Sequence, residues 1–289
     1  MSILEFAANR QAIWSATANT LKFKIDFARN TSFFLSILGA LVASLASMQA
    51  TDNVLRTVLI SVGAVALAAT GIIGSQILTS EGIRQQIRAR AASEALKREA
   101  FLYAAAAGDY SDRATRDNLL KTALEKIEAE VNDLTLFQAK APGPGSSPRT
   151  NLSFAEYLDK RVDPQIRFYD VKSEKYVKTS RVLHGIEFTL AFVAAILTAL
   201  AGVIGKGVFD FAAVIGVLTT CAAAVMAHLQ ASHYDNLVVG YRAAGRKLEN
   251  LKATIDETTT TVAAFANATE EVLAAETNSW QAMWSNNSK

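Results

Sequence analysis

Four long apolar runs interrupt an otherwise mixed sequence, and they come in two pairs. The first pair covers residues 32–50 and 57–78, and the second covers residues 183–204 and 211–229. Each run is close to the ~20 residues that a helix needs to cross ~30 Å of hydrocarbon. Because only a few residues separate the two runs of a pair, each pair must fold back on itself as an antiparallel hairpin. The pattern predicts four transmembrane spans.

The polar stretches between and around the spans also favour helices, because their apolar residues recur at helical spacing and no segment alternates with period two. The helix before the first span either packs on a soluble bundle or lies at the membrane interface. We therefore predict an all-α membrane protein with two transmembrane helical hairpins and a cytoplasmic helical bundle. In the first half, additional helices are expected over residues 5–28, over 81–107 as a continuation of the second span, and over 112–137 with Ser111 as N-cap. In the second half, a helix is expected to begin at Ser153 and to restart at Asp163-Pro164. The fourth span is expected to continue through residues 241–251, and a last helix is expected over 258–284.

A proline-rich linker divides the chain near its midpoint. Three of the four prolines lie within residues 141–148, and such a cluster breaks regular structure. We take residues 139–150 as the linker, 1–138 as the first unit and 151–289 as the second. Both units have the same order of pre-membrane helix, span, turn, span and long helices, which indicates a parallel duplication.

Charge placement predicts the orientation of the hairpins. The chain carries 29 Lys and Arg against 27 Asp and Glu, so its net charge gives no reason to expect direct binding of nucleic acid. Basic residues instead collect on the polar side of both hairpins, where Lys or Arg marks the cytoplasm. Both termini and the central segment of this multi-pass protein are therefore expected in the cytoplasm; with the family resemblance described below, the membrane is expected to be the inner membrane of a bacterium.

Small and hydroxyl-bearing residues recur within the spans and allow two interpretations. They either let helices pack closely in lipid or line a narrow water path in an open bundle. Glu187 is the ionisable residue placed furthest inside a span; pairing with a histidine would make it either a structural hydrogen-bond partner or part of a gate. The candidates for a pore or for helix packing are Ser36, Ser44, Ser47, Gly71, Ser75, Glu187, Thr198 and Gly202.

Basic residues in the helices that follow the hairpins form a second candidate group. They would surround the cytoplasmic mouth of a bundle, where they either receive an anionic nucleotide or anchor at the anionic lipid leaflet. These residues are Arg84, Arg88, Arg90, Arg242 and Arg246.

The sequence contains no pattern of residues that is typical of a catalytic site. The three histidines lie near the membrane and outside any metal-binding spacing, and Cys221 is the one cysteine. The carboxylates alternate with Lys and Arg, as expected for solvated helix faces. We expect no enzyme activity, no catalytic residues, no cofactor and no metal site.

Motifs that follow the hairpins resemble the SLATT family of bacterial two-transmembrane effector domains. The first hairpin is followed by Arg90-Ala91-x-x-Glu94-x-Leu96-Lys97-x-Glu99, and the second by Tyr241-Arg242 and Leu248. The C-terminal segment Glu270-Glu271-Val-Leu273-x-x-Glu276-x-x-x-Trp280 resembles the closing segment of these proteins. The resemblance covers nearly the whole chain as two units in tandem. It implies an effector that acts beside enzymes making nucleotide second messengers.

Two functions from different classes follow. The first is a homo-oligomeric, pore-forming or channel-like effector of the inner membrane, gated by a cytosolic signal in bacterial defence or conflict. The resemblance implies a nucleotide second messenger, or the system that makes it, as the signal. The alternative is a non-conducting scaffold whose spans only anchor cytosolic helices that recruit a partner.

Overall fold

A computed structural model describes residues 1–49, 53–139, 143, 145–204, 211–256 and 259–286. All regular elements among these residues are helices, which confirms the predicted fold class. Two compact units result. Unit 1 comprises Met1–Phe23, Ser80–Glu174 and Asn236–Lys289, and unit 2 comprises Lys24–Thr79 and Lys175–Asp235.

The α-helices follow one another along the chain with few breaks. Short 3₁₀ segments cover Gly108–Tyr110 and Asn132–Phe137, and a π-helical turn covers Leu158–Val162. The α-helices are α1 (Ile3–Ser47), α2 (Val54–Gln76), α3 (Ser80–Ala104), α4 (Arg116–Ala129), α5 (Phe154–Tyr157), α6 (Asp163–Ile204), α7 (Phe211–Ser232), α8 (Tyr234–Ala253) and α9 (Val262–Asn286).

Among the described residues, four helical stretches are long and apolar enough to cross a membrane. They are Ile3–Ser47, Val54–Gln76, Phe154–Val203 and Phe211–Ala253, and each covers all or nearly all of one predicted span. This agreement confirms the four spans. The predicted turns of the hairpins fall mainly on residues 51–52 and 205–210, which lie outside the described residues.

Within unit 2, helices α1 and α2 approach each other closely at two glycines. A Cβ atom added to Gly39 would lie 2.9 Å from Leu67 Cγ, and one added to Gly63 would lie 3.6 Å from the Gly39 carbonyl oxygen. Missing side chains let two backbones come together in lipid, where packing drives helix association. Gly39 and Gly63 therefore define the α1–α2 contact.

Unit 2 also contains a group of polar contacts around the junction of α7 and α8. Ser180 Oγ donates to Asp235 Oδ1 at 2.7 Å, and His184 Nε2 lies 3.7 Å from Asp235 Oδ2. The Tyr234 hydroxyl lies 3.4 Å from Nε2 of His228. The polar contacts described for His184 and His228 involve α8 rather than the predicted partner, Glu187, and the His228 ring also lies 4.8 Å from the ring of Phe33 in α1.

Unit 1 has a continuous hydrophobic core. Its largest buried side chains include Trp14 of α1, Leu96 and Phe101 of α3, Tyr157 of α5 and Phe265 of α9. Burial of Trp14 confirms that the helix before the first span packs on the soluble bundle.

Two predicted helix boundaries on the N-terminal side are wrong. The second span does not run on into the next helix, because residues 77–79 are non-helical and α3 starts afresh at Ser80. Ser111 does not cap the following helix either. Asp112 instead binds donors ahead of the helix, accepting from Ala114 N and Thr115 Oγ1 at 2.9 and 3.0 Å, and the helix covers only Arg116–Ala129 with Thr115 as its N-cap residue. A carboxylate that binds local donors competes with helix extension.

The C-terminal half differs from expectation at other boundaries. His233 adopts a φ of +49°, a left-handed conformation that ends α7 and separates it from α8. The expected restart at Asp163-Pro164 is replaced by a continuous run through the π-helical turn. The last helix begins at Val262; the predicted start at position 258 lies outside the described residues.

Candidate functional site

Unit 1 holds a cluster of ionisable and aromatic side chains between α3, the start of α6, α8 and α9. We call it the ionic cluster. It contains three cationic side chains and three carboxylates, so its formal charges cancel. Pairing of opposite charges offsets part of the desolvation free energy that burying them costs. Its members are Arg90, Glu94 and Lys97 of α3, Tyr157 of α5, Arg161 of the π-helical turn, Tyr169 of α6, Tyr241 of α8, and Glu270, Glu276 and Trp280 of α9.

The centre of the cluster is a fully buried ion pair between Arg161 and Glu270. Their side chains are 3% and 1% exposed. Arg161 Nε donates to Glu270 Oε1 and Nη2 donates to Oε2, each at 2.7 Å, and the Tyr157 hydroxyl donates to Oε1 at 3.0 Å. Such a bidentate pair fixes both geometry and charge. Burial disfavours the Arg161 cation, yet the Glu270 carboxylate raises the guanidinium pKa above its usual value.

Local structure explains why Tyr157 and Arg161 reach the same carboxylate. A capping box starts the helix: Ser153 Oγ accepts from Glu156 N, and the Glu156 carboxylate accepts from Ser153 N. The following π-helical turn, Leu158–Val162, widens the backbone between the cap and α6. Single π turns inside helices are frequent at functional sites.

A second cation of the cluster is held by aromatic rings. The Arg90 guanidinium carbon lies 4.5 Å from the ring centroid of Trp280, within the range of a cation–π interaction. Burial opposes the Arg90 charge, while Tyr241, Glu94 and Glu276 raise the pKa of its guanidinium. Arg90 therefore joins α3 to both α8 and α9.

Two groups of the cluster have pKa values that are shifted so as to disfavour their charged forms. Burial, followed by the nearby Arg161, lowers the pKa of Lys97. Burial raises the pKa of Glu276. Such groups are candidates for function, because their charge responds to small changes of surroundings.

A cavity of about 330 Å³ opens beside the ion pair, between α3, the end of α4 and α9. Glu94, Arg98, Arg161 and Glu270 contribute charged atoms to its wall, and Asn278 contributes an amide. The volume is within the range of small-molecule sites. The cavity offers both donors and acceptors next to the buried pair.

The predicted basic residues have different surroundings. Arg88 and Arg90 are held inside unit 1: Arg88 donates to both carboxylate oxygens of Asp133 at 2.6 and 2.8 Å and to Glu130 O at 2.6 Å. Arg84 is exposed and pairs with Glu81 at 3.0 Å. Arg242 and Arg246 are exposed on α8.

The predicted span residues are scattered over unit 2. Hydroxyls bind carbonyl oxygens of their own helix, as Ser36, Ser47, Ser75 and Thr198 do at 2.7–3.1 Å. Ser44 Oγ instead lies 3.4 Å from Ala213 O of α7.

The glycine and carboxylate candidates are accessible to different degrees. Gly71 and Gly202 have open space where a Cβ would lie, and Glu187 is half-buried. Whether any of these residues lines a pore stays a prediction.

Sequence reasoning missed the central pair. Glu270 stands in the C-terminal motif without an assigned role, and Arg161 follows Lys160 in what reads as an ordinary charged helix. Seven members of the ionic cluster do come from the motif segments: Arg90, Glu94, Lys97, Tyr241, Glu270, Glu276 and Trp280. The motif signal thus located the cluster, but not its burial.

In the part of the chain that the structure describes, no group of three or more His, Cys, Asp or Glu side chains is arranged to hold a metal ion. Cys221 is buried and unbonded within α7.

Comparison with protein families gives one match in each half of the chain. The model of the SMODS and SLOG-associating 2TM effector domain 1 matches residues 157–280. A family described as a protein of unknown function (DUF4231) matches residues 12–118. The N-terminal match is not a second SLATT match, so the tandem duplication stays a prediction. No curated protein and no solved structure shows a significant match. Residues 157–280, which contain the ion pair and two of the four spans, are therefore similar to a two-transmembrane effector domain.

Proposed function

We propose that the protein is a homo-oligomeric effector of the bacterial inner membrane that opens an ion-conducting path when a cytosolic signal reaches unit 1. The observation that carries the proposal is the match of residues 157–280 to a two-transmembrane effector domain in a chain with four apolar spans. Effectors of conflict systems stop the growth of their own cell, and a conducting bundle would do so by collapsing ion gradients.

The course of one helix suggests how a signal would reach a span. Arg161 and Tyr169 of the ionic cluster belong to the same helical stretch, Phe154–Val203, as the third span. Because a helix transmits rotation and translation along its length, loosening the Arg161–Glu270 pair would release the cytosolic end of that stretch. Packed interfaces of this kind switch between discrete arrangements.

The proposed topology places both termini and unit 1 in the cytoplasm. The support is the accumulation of Lys and Arg at the polar ends of both hairpins. Arg242 and Arg246, exposed on α8, would then face either the anionic leaflet or an anionic ligand.

One observation favours the alternative, a non-conducting scaffold. The Ser36 and Thr198 hydroxyls are satisfied by carbonyl oxygens of their own helices, so these residues need no water. In that case the spans would only anchor unit 1, which would recruit a partner protein.

Ion flux from liposomes separates the two functions. Purified protein is reconstituted and assayed alone and with a panel of mono-, di- and cyclic nucleotides. We expect flux in at least one condition, and loss of that flux in Ser44→Leu and Thr198→Leu but not in the control Val203→Leu, whose parent side chain is 86% exposed. Silence of the correctly inserted protein in every condition contradicts conduction, and equal flux from all three variants contradicts the assigned lining.

A further inference from the structure

An apolar groove runs between α8 and α9 on unit 1. Its volume is about 440 Å³. Buried aromatic side chains form its base: Tyr241 and Trp280 are 3% and 8% exposed. The side chains along its edges are mainly small or apolar, namely Val239, Gly240, Ala243, Val272, Ala275, Ser279 and Met283.

The groove is open to an incoming side chain. Nothing lies within 4 Å of the position that a Cβ of Gly240 would occupy. Val239 at its edge is 69% exposed. An exposed apolar groove between two helices is a common docking site for apolar side chains of a partner.

A second surface of the same unit exposes two apolar side chains. Leu136 is 90% exposed and Phe137 is 41% exposed at the end of the 3₁₀ segment Asn132–Phe137. Leu134 of the same segment is buried, and Arg88 holds the segment through Asp133. The two apolar side chains are therefore presented by a fixed backbone rather than by a free loop.

Charge also matches between the two surfaces. The groove ends at Lys247, which follows the exposed Arg246. The exposed carboxylate of Glu130 lies shortly before the apolar pair at 136–137, while that of Asp133 is already paired with Arg88. Opposite charges at the edge of an apolar contact steer association and fix its register.

We propose that Leu136 and Phe137 of one copy of the chain insert into the α8–α9 groove of a second copy. The two surfaces belong to different elements, so the contact is head-to-tail, and repetition of such a contact closes into rings when the rotation allows it. The inference rests on the proposed function in one respect, the need for more than one copy, and it assigns that assembly to unit 1.

Cysteine crosslinking between two populations tests the contact directly. Both populations carry Cys221→Ala; one carries Leu136→Cys and the other Val239→Cys. Mixed membranes should give a crosslinked dimer under mild oxidation. The matched control pairs Val239→Cys with Leu119→Cys, since Leu119 is another partly exposed leucine of unit 1, at 40% exposure, and it should give none. Absence of the first crosslink, or equal yield in the control, overturns the proposal.

Assembly in detergent provides a second, independent test. Gly240→Phe fills the groove, and Leu136→Asp removes the inserted side chain. Each variant should weaken self-association roughly 10- to 100-fold, as loss of one buried large apolar side chain does. Gly240→Phe should keep its thermal stability, because the added atoms enter open space and glycine disfavours helices. If Gly240→Phe dissociates the oligomer and Leu136→Asp does not, another segment occupies the groove and the proposal is wrong.

The outcomes separate this inference from the conducting function. Self-association and ion flux that both persist in Gly240→Phe and Leu136→Asp contradict the groove contact and leave conduction in place. A crosslinked ring that conducts nothing supports the groove and contradicts the pore.

Discussion

Neutralising Glu270 should destabilise unit 1 more than any other single isosteric change. Glu270→Gln keeps the shape of the side chain but removes the charge opposite Arg161, whose side chain is 3% exposed. The wild-type carboxylate accepts from three donors, Arg161 Nε, Arg161 Nη2 and the Tyr157 hydroxyl. In Glu270→Gln one carboxylate oxygen becomes an NH₂ group, which then faces a donor instead of accepting from it.

The magnitude follows from the burial of the pair. Breaking a buried ion pair by removing one partner costs about 3–5 kcal/mol, because the remaining charge is left without compensation. At roughly 2–4 °C per kcal/mol for a domain of about 150–250 residues, the thermal midpoint should fall by roughly 6–20 °C. The double variant Arg161→Met/Glu270→Leu removes both charges and should lose only about 1 kcal/mol, mainly for the unpaired hydroxyl of Tyr157.

Thermal unfolding in detergent, followed by tryptophan fluorescence, measures these effects. Trp14 and Trp280 are both buried in unit 1 and report its unfolding. The single variants Arg161→Met and Glu270→Leu and their double variant form a cycle whose coupling term isolates the pair. A Glu270→Gln midpoint within about 2 °C of wild type, or single effects that simply add in the double variant, would refute the reasoning.

Further predictions concern Lys97 of the ionic cluster and the contact between helices α1 and α2. Burial and the neighbouring Arg161 lower the pKa of Lys97, so its charge opposes folding below the folded pKa, and this penalty disappears as pH rises towards the unfolded value. Lys97→Met should therefore be at least as stable as wild type at pH 7, and its midpoint should rise less between pH 7 and 10, as measured by the same fluorescence assay. Gly39→Leu should cost roughly 1–3 kcal/mol by overpacking, since an added Cβ would lie 2.9 Å from Leu67. Gly71→Leu, where a Cβ meets open space, should stay within about 0.5 kcal/mol, and equal losses for both variants in detergent melts would contradict the assigned α1–α2 contact.

Helix content and spans could be predicted from local pattern, because runs of ~20 apolar residues have few other outcomes. Boundaries could not, since they depend on single contacts. The left-handed backbone at His233 ends α7, and the side-chain bonds of Asp112 hold a turn before α4; the local apolar pattern specifies neither.

The candidate site was predictable in part for the same reason. Motif residues such as Arg90 and Glu94 pointed to the correct helix, but periodicity reads alternating charges as a solvated face. Burial of Arg161 and Glu270 arises from tertiary contacts, because the two residues lie 109 positions apart along the chain. In the spans, the close approach of α1 and α2 uses Gly39 and Gly63, which were not among the candidates, while Gly71 has open space beside it.

Cysteine accessibility in intact cells tests most directly whether the hairpins are embedded with their tips outside and unit 1 inside. In a Cys221→Ala background, single cysteines are placed at Asn53, at position 207 and, as the cytoplasmic control, at Ser111, which is exposed in unit 1. A membrane-impermeant maleimide should label positions 53 and 207 in intact cells, and Ser111→Cys only after lysis. Labelling of Ser111→Cys in intact cells, or protection of both hairpin tips, would contradict the account.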